Sequence, residues 1–166
     1  MKTGDYVLSR RFLSFLGNYR LTDATGAMVM RFVGDLRVAL RFDAVDAKGN
    51  VLFRGQCLLQ DAEQGHLYPR WTDIRVDAGG MGRRAATCKS AKGCCIAEVG
   101  AGESLQTDGD CATAWSLLRR EAVVARVERR GRRWSIKLLD DTNADFVLTV
   151  AVAIVHQTLG DERSLD

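Results

Sequence analysis

The sequence predicts a mostly β protein: a closed antiparallel barrel of about twelve strands around a central hydrophobic C-terminal helix. Three observations lead there. Apolar and polar residues alternate with a period of two through several short segments. Turn-forming clusters recur between those segments. One stretch near the C-terminus abandons the alternation and is apolar on almost every side.

The chain has 166 residues, of which 46% are hydrophobic and 27% charged, so it can bury a core and is neither disordered nor fibrous. Pro69 is the single proline, and no proline-rich linker divides the chain. One domain spanning residues 1–166 is expected.

In chain order, Met28, Met30 and Phe32 show the alternation less cleanly, with Val29 and Arg31 between them. Val38, Leu40 and Phe42 alternate with Arg37, Ala39, Arg41 and Asp43. Ile74 and Val76 repeat the pattern, and Trp134, Ile136 and Leu138 alternate cleanly with Ser135 and Lys137. Turn signals fall between them at Gly17-Asn18, Asp23–Gly26, Lys48–Asn50, Gly79–Gly82, Asp108–Asp110 and Arg130–Arg132. Asp23–Arg31 and Asp46–Arg54 share one pattern, D-A-x-G-x followed by three apolar residues and Arg. Asp can cap such a turn through its carboxylate and Gly can adopt the left-handed conformation, so both segments read as hairpins of equal geometry. Strands of ~6 residues, turns of ~4 and a helix of ~16 leave room for one or two longer loops, expected at Asp61–His66 and Gly100–Asp110.

Thr142-Asn143-Ala144-Asp145 has the S/T-x-x-D/E form of a capping box, and from Ala144 to Val155 only Asp145 and Thr149 are polar. Asp145, Thr149 and His156 fall on one narrow stripe at helical spacing, leaving the rest of the circumference apolar. A helix this apolar must be surrounded by protein. Its β-branched content leaves a buried strand as the rival reading.

The net charge of +3 is unevenly spread. Arg119, Arg120, Arg126, Arg129, Arg130, Arg132, Arg133 and Lys137 crowd one stretch, opposed there only by Glu121 and Glu128, so the remainder of the chain is net negative. Arg129, Arg130, Arg132 and Arg133 surround the turn at Gly131. Guanidinium forks suit phosphate, and crowding them costs stability unless anions neutralise them. Arg119, Arg120, Arg129, Arg130, Arg132, Arg133 and Lys137 are therefore the candidate anion- and lipid-binding residues. A solvated turn in an arginine-rich chain is the plain alternative. Nucleic acid ranks below phospholipid, because Trp134 reads as core and single-strand binders interleave cations with exposed aromatics.

No catalytic motif stands out, and no enzymatic activity is expected. His66 and His156 are the two histidines; His66 falls in an expected loop, and His156 ends the apolar helix, where imidazole caps carbonyls. Cys57, Cys88, Cys94, Cys95 and Cys111 are odd in number and lack zinc-site spacing, so they read as reduced structural thiols, with no metal and no cofactor. Gly79–Gly82 lacks the Lys-Ser/Thr of a phosphate loop. Asp140 and Asp141 are expected to complement the helix dipole. No secretory leader or membrane-spanning stretch is readable. The expectation is a soluble cytoplasmic protein, peripheral at a membrane or nuclear.

Several segments resemble the LURP-one-related family, whose fold is shared with the tubby C-terminal domain and the phospholipid scramblases. Phe15–Asp23 with the Gly26 turn is similar to that family's opening hairpin, and Asp43–Gly49 with Val51–Gly55 to its next one. Leu67-Tyr68-Pro69-Arg70-Trp71 resembles its L-h-x-R-W segment, Ala122–Arg126 its "v-v-A-x-v" strand, and Asp145 with the following apolar run its closing helix. His156 stands where that helix often ends in an acidic residue, and residues 78–115, rich in Gly, Ala and Cys, match least. The resemblance implies a twelve-stranded barrel threaded by a hydrophobic helix, generally without enzymatic activity. In the tubby branch a basic surface binds phosphoinositides; LURP-one-related members are associated with plant defence. It implies a binding or scaffolding module, with anionic phospholipid or phosphoinositide as the first ligand, a protein partner as the alternative and nucleic acid as the second.

Overall fold

The computed structural model describes residues 1–10, 18–35, 41–59, 71–78, 85–91, 94–99 and 103–163, with side chains over 1–10, 18–34, 42–55 and 104–155. Twelve strands precede one helix: β1 (Gly4–Arg10), β2 (Tyr19–Asp23), β3 (Met28–Asp35), β4 (Arg41–Asp46), β5 (Val51–Leu59), β6 (Trp71–Ala78), β7 (Ala85–Ala91), β8 (Cys94–Val99), β9 (Glu103–Asp110), β10 (Ala114–Arg119), β11 (Ala122–Arg130), β12 (Arg133–Leu138) and α1 (Ala144–Arg163). The fold is mostly β, antiparallel throughout, with one helix. Each strand pairs with its chain neighbours, and β1 pairs with both β2 and β12, so the ladder returns on itself.

The period-two reading places the core. Leu8, Leu21, Met30, Phe32, Trp134, Ile136 and Leu138 all face inward and are buried, while Arg20, Arg31, Arg133 and Lys137 between them are exposed. The repeated D-A-x-G segments fold as anticipated. Asp23 Oδ1 accepts from the amides of Thr25 (2.9 Å) and Ala27 (3.0 Å), and Asp46 Oδ1 from those of Lys48 and Asn50 (both 2.8 Å). Gly26 and Gly49 follow at φ 83° and 94°, a region that a side chain would strain. These donors, led by the Thr25 hydroxyl and the Asn50 side chain, hold both carboxyls below the usual carboxylate range.

The apolar C-terminal stretch is helical, not a strand. Ala144 and every residue from Phe146 to Val155 are buried, on all sides of the helix. Between residues 146 and 155 the helix has no wet face, so the strands enclose it there, and α1 packs on β5, β6, β7 and β11. Thr149 is the one buried polar side chain among the described residues of the helix, and its hydroxyl donates to the Asp145 carbonyl at 2.7 Å.

Some expectations need correction, and others fall outside the described residues. The capping box does not form: the Thr142 hydroxyl bonds Asp140, and the Phe146 and Val147 amides donate instead to the carbonyl of Asn143, itself at φ 57°. Asp140 therefore builds the turn before the helix, more than it complements the dipole. Gly100–Asp110 is not a long loop, since Glu103–Asp110 forms β9, and the turn lies at residues 111–113. The poorly patterned segment 78–115 carries β7 to β10, because main-chain pairing needs no side-chain alternation. Residues 61–66, Leu67–Arg70, Phe15–Gly17 and Gly79–Gly82 lie outside the described residues, as do the side chains of His156, Cys57, Cys88, Cys94 and Cys95. Cys111 is a buried thiol.

Gly55 shows how closely the wall packs. It stands opposite Phe42 on β4, and a Cβ there would collide with the Phe42 ring. Gly55→Ala is expected to cost about 1–2 kcal/mol through overpacking. Thermal melting checks it: Phe42→Leu in the same chain should recover part of the loss, whereas additive losses would mean that the ring and the new methyl do not meet.

Candidate anion-binding surface

The β11–β12 turn places the arginines in two groups by strand geometry. Arg130 and Arg133 face each other across a two-residue loop, Gly131-Arg132, with Gly131 at φ 62°. Arg130 and Arg133 point outward with Glu128, on the same wall as Arg126 and Lys137. Arg129 lies on the inward-facing side at the barrel's rim, where its guanidinium sits 5.8 Å from the ring centroid of the buried Trp134.

All four turn arginines are exposed. Arg130 pairs with Glu128, its terminal nitrogen 2.9 Å from Oε2, and Arg129 Nε donates to the Gly131 carbonyl at 3.4 Å. An ion pair this exposed contributes at most about 1 kcal/mol and leaves the arginine open to a second anion. Among the described residues, no ion pair is made by Arg132 or Arg133.

The structure does not bring the other expected residues to this turn. Arg119 and Arg120 lie at the far end of β11, roughly 25 Å away at ~3.3 Å per residue. Arg119 is committed there: its guanidinium binds Asp140 Oδ2 at 3.0 Å and the Thr142 carbonyl at 3.2 and 3.3 Å, with only 13% of the side chain exposed. Arg120, at φ 48°, and Glu121, at φ 69°, form the β10–β11 turn. Lys137 stands midway along the wall, paired with Arg126 on one side and Asp5 on the other. The separation follows from β11 being a single nine-residue strand with a turn at each end.

Strand register adds two residues that were not candidates. Arg133 is opposite Ser9 on β1, Ser9 is opposite Arg20 on β2, and Arg20 is opposite Arg31 on β3. The Arg20–Arg31 pairing was within reach of the sequence once the Asp23 hairpin was read. Their approach to Arg133 depends on the β1–β12 pairing, which joins the two ends of the chain.

Among the described residues there is no group of three or more His, Cys, Asp or Glu side chains that could hold a metal ion, and no helix long and apolar enough to cross a membrane. No family model matches the chain, and no curated protein matches it. Among solved structures, the X-ray structure of a protein from Arabidopsis thaliana is similar over 92% of this chain and 90% of that one, with a TM-score of 0.64 and 14% sequence identity. At that identity the likeness bears on the fold alone, and the fold the two share is β-rich.

Proposed function

We propose that this chain is a tubby-like barrel of the LURP-one-related kind and acts as a non-enzymatic binding module, attaching peripherally to anionic phospholipid through the β11–β12 turn. The carrying observation is the turn itself: Arg129, Arg130, Arg132 and Arg133 are all exposed around Gly131, Arg130 pairs with Glu128, and among the described residues no ion pair is made by Arg132 or Arg133. The ring of strands around an enclosed helix is the architecture expected of that kind, and the likeness to the Arabidopsis protein supports a β-rich fold. The motif order read from the sequence points the same way.

Attachment would be electrostatic and would leave the helix in place. Each cation near an anionic leaflet contributes about 1 kcal/mol, attenuated beyond a Debye length of ~8 Å at physiological ionic strength. Arg119 has no part in it, being held by Asp140 and Thr142.

Co-sedimentation with phosphatidylcholine vesicles, with and without phosphatidylserine, tests the reading. The protein should bind the anionic vesicles and release them at high salt. Replacing Arg129, Arg130, Arg132 and Arg133 by Gln should reduce binding to that of neutral vesicles. Equal binding by this variant, or none by the wild type, overturns the proposal.

A further inference from the structure

We propose that the lipid-binding face extends beyond the turn as an arginine row across five strands of the outer wall, Arg130, Arg133, Arg20 and Arg31, and that its occupant is the surface of an anionic bilayer. The inference rests on the phospholipid reading above and adds two residues from the opposite end of the sequence.

The row follows from register. Arg130 on β11 pairs with Arg133 on β12, Arg133 with Ser9 on β1, Ser9 with Arg20 on β2, and Arg20 with Arg31 on β3. Directly paired residues share a face, and each arginine here is flanked along its strand by inward-facing residues: Tyr19 and Leu21 beside Arg20, Met30 and Phe32 beside Arg31, Trp134 beside Arg133. All four arginines are exposed. The row therefore points outward as a unit, roughly 19 Å long at ~4.8 Å per strand spacing.

Its composition is unfavourable for an isolated protein. Arg130 faces Arg133 and Arg20 faces Arg31, two like-charged pairs at the closest cross-strand spacing, and like charges directly opposite destabilise a sheet. No acid occupies the row. Glu128, one rung inward, pairs with Arg130, and among the described residues no ion pair is made by Arg20, Arg31 or Arg133. An external anionic surface would offset that repulsion.

Shape favours a plane. Twelve strands ~4.8 Å apart and tilted ~40° enclose a barrel of about 12 Å radius, so the ends of a 19 Å row fall no more than about 4 Å behind its middle. Arginine side chains span that difference, and it is less than the Debye length of ~8 Å. One flat leaflet can thus meet all four charges. A nucleic-acid strand would call for aromatic platforms beside the cations, and the exposed large apolar residues among those described, Met1, Val33, Val51 and Leu139, include none.

The experiment compares four full-length proteins on phosphatidylserine-containing vesicles: wild type, the turn variant with Arg129, Arg130, Arg132 and Arg133 replaced by Gln, Arg20→Gln with Arg31→Gln, and a charge-matched control, Arg126→Gln with Lys137→Gln. The control removes two cations from the same wall but off the row. At about 1 kcal/mol per cation, the Arg20/Arg31 variant should bind roughly 30-fold more weakly, and the control should lose less than about threefold. Its thermal midpoint should equal or exceed that of the wild type, since like-charge repulsion is relieved. Wild-type-like vesicle binding by the Arg20/Arg31 variant, while the turn variant loses it, overturns the row and spares the turn. Equal losses in both double variants overturn it as generic charge. A variant that keeps vesicle binding but loses affinity for duplex DNA or RNA assigns the row to nucleic acid and overturns the lipid occupant. No vesicle binding by the wild type overturns row and turn together.

Discussion

Leu148→Asp should abolish folding, and Leu148→Ala should lower stability by about 3–5 kcal/mol, near the upper end for buried leucines. Leu148 is fully buried near the middle of the enclosed stretch of α1. On a surface helix, a small rotation can bring a substituted residue toward water. Here Phe146 to Val155 are buried all round, so every rotation carries the residue from one strand's side chains to another's. An aspartate has nowhere to be solvated, and its burial costs several kcal/mol even if it protonates. The alanine leaves a cavity that the surrounding ladder of main-chain hydrogen bonds cannot close without breaking pairs. Leu148→Met, which keeps the volume, should cost less than about 1.5 kcal/mol. Urea unfolding of the three variants checks the series. A folded Leu148→Asp protein with an unchanged midpoint would mean that α1 has a wet face and that the strands do not enclose it.

That enclosure was legible in the sequence because it leaves a periodic signature. Met30, Phe32, Trp134, Ile136 and Leu138 alternate with polar residues because one side of each strand faces the core, and residues 146–155 do not alternate because no side of the helix faces water. The Asp23 and Asp46 turns were equally readable, since their chemistry is local: one carboxylate, two amides and a glycine within five residues. Long-range features were harder. The Thr142 hydroxyl bonds Asp140, and that partnership depends on where β12 releases the chain beside Val124, whose carbonyl accepts from Leu139 and Asp140. β7 and β8 lack alternation, so nothing in their sequence announced a ladder that main-chain groups alone define. The arginine cluster was visible as composition, but its division between the two ends of β11, and the approach of Arg20 and Arg31 to Arg133, are consequences of strand length and register. Neither can be read from a run of charges.

Arg119→Ala should destabilise the protein by about 2–3 kcal/mol and leave vesicle binding intact, the opposite of what removing the turn arginines does. Arg119 closes the junction between β12 and α1. It bridges Asp140 and the Thr142 carbonyl, while Asp140 Oδ1 accepts from the Thr142 amide at 2.9 Å and the Val124 carbonyl holds the amides of Leu139 and Asp140 at 2.8 and 3.3 Å. Val124 is free to do this because the β10–β11 register shifts between Leu117 and Leu118, leaving it as the extra residue of a bulge. Removing the guanidinium breaks the part-buried ion pair to Asp140 Oδ2 and leaves the Thr142 carbonyl without this donor, while Asp140 keeps its bonds from Thr142. Arg119→Lys should recover less than half of the loss, because an ammonium cannot span both acceptors as a planar fork does. The junction also carries an acid dependence. Hydrogen bonds from Thr142, backbone first and then side chain, and the nearby Arg119 hold the Asp140 carboxyl below the usual carboxylate range. A lowered folded value means that its contribution is complete above the unfolded value, ~3.9, and is lost as pH falls through the lower folded one. The stability deficit of Asp140→Asn relative to the wild type, measured by urea unfolding, should therefore be constant near neutrality and shrink below about pH 4. A deficit that widened on acidification would show that Asp140 is not stabilised as an anion, and the clamp assigned to Arg119 would fail with it.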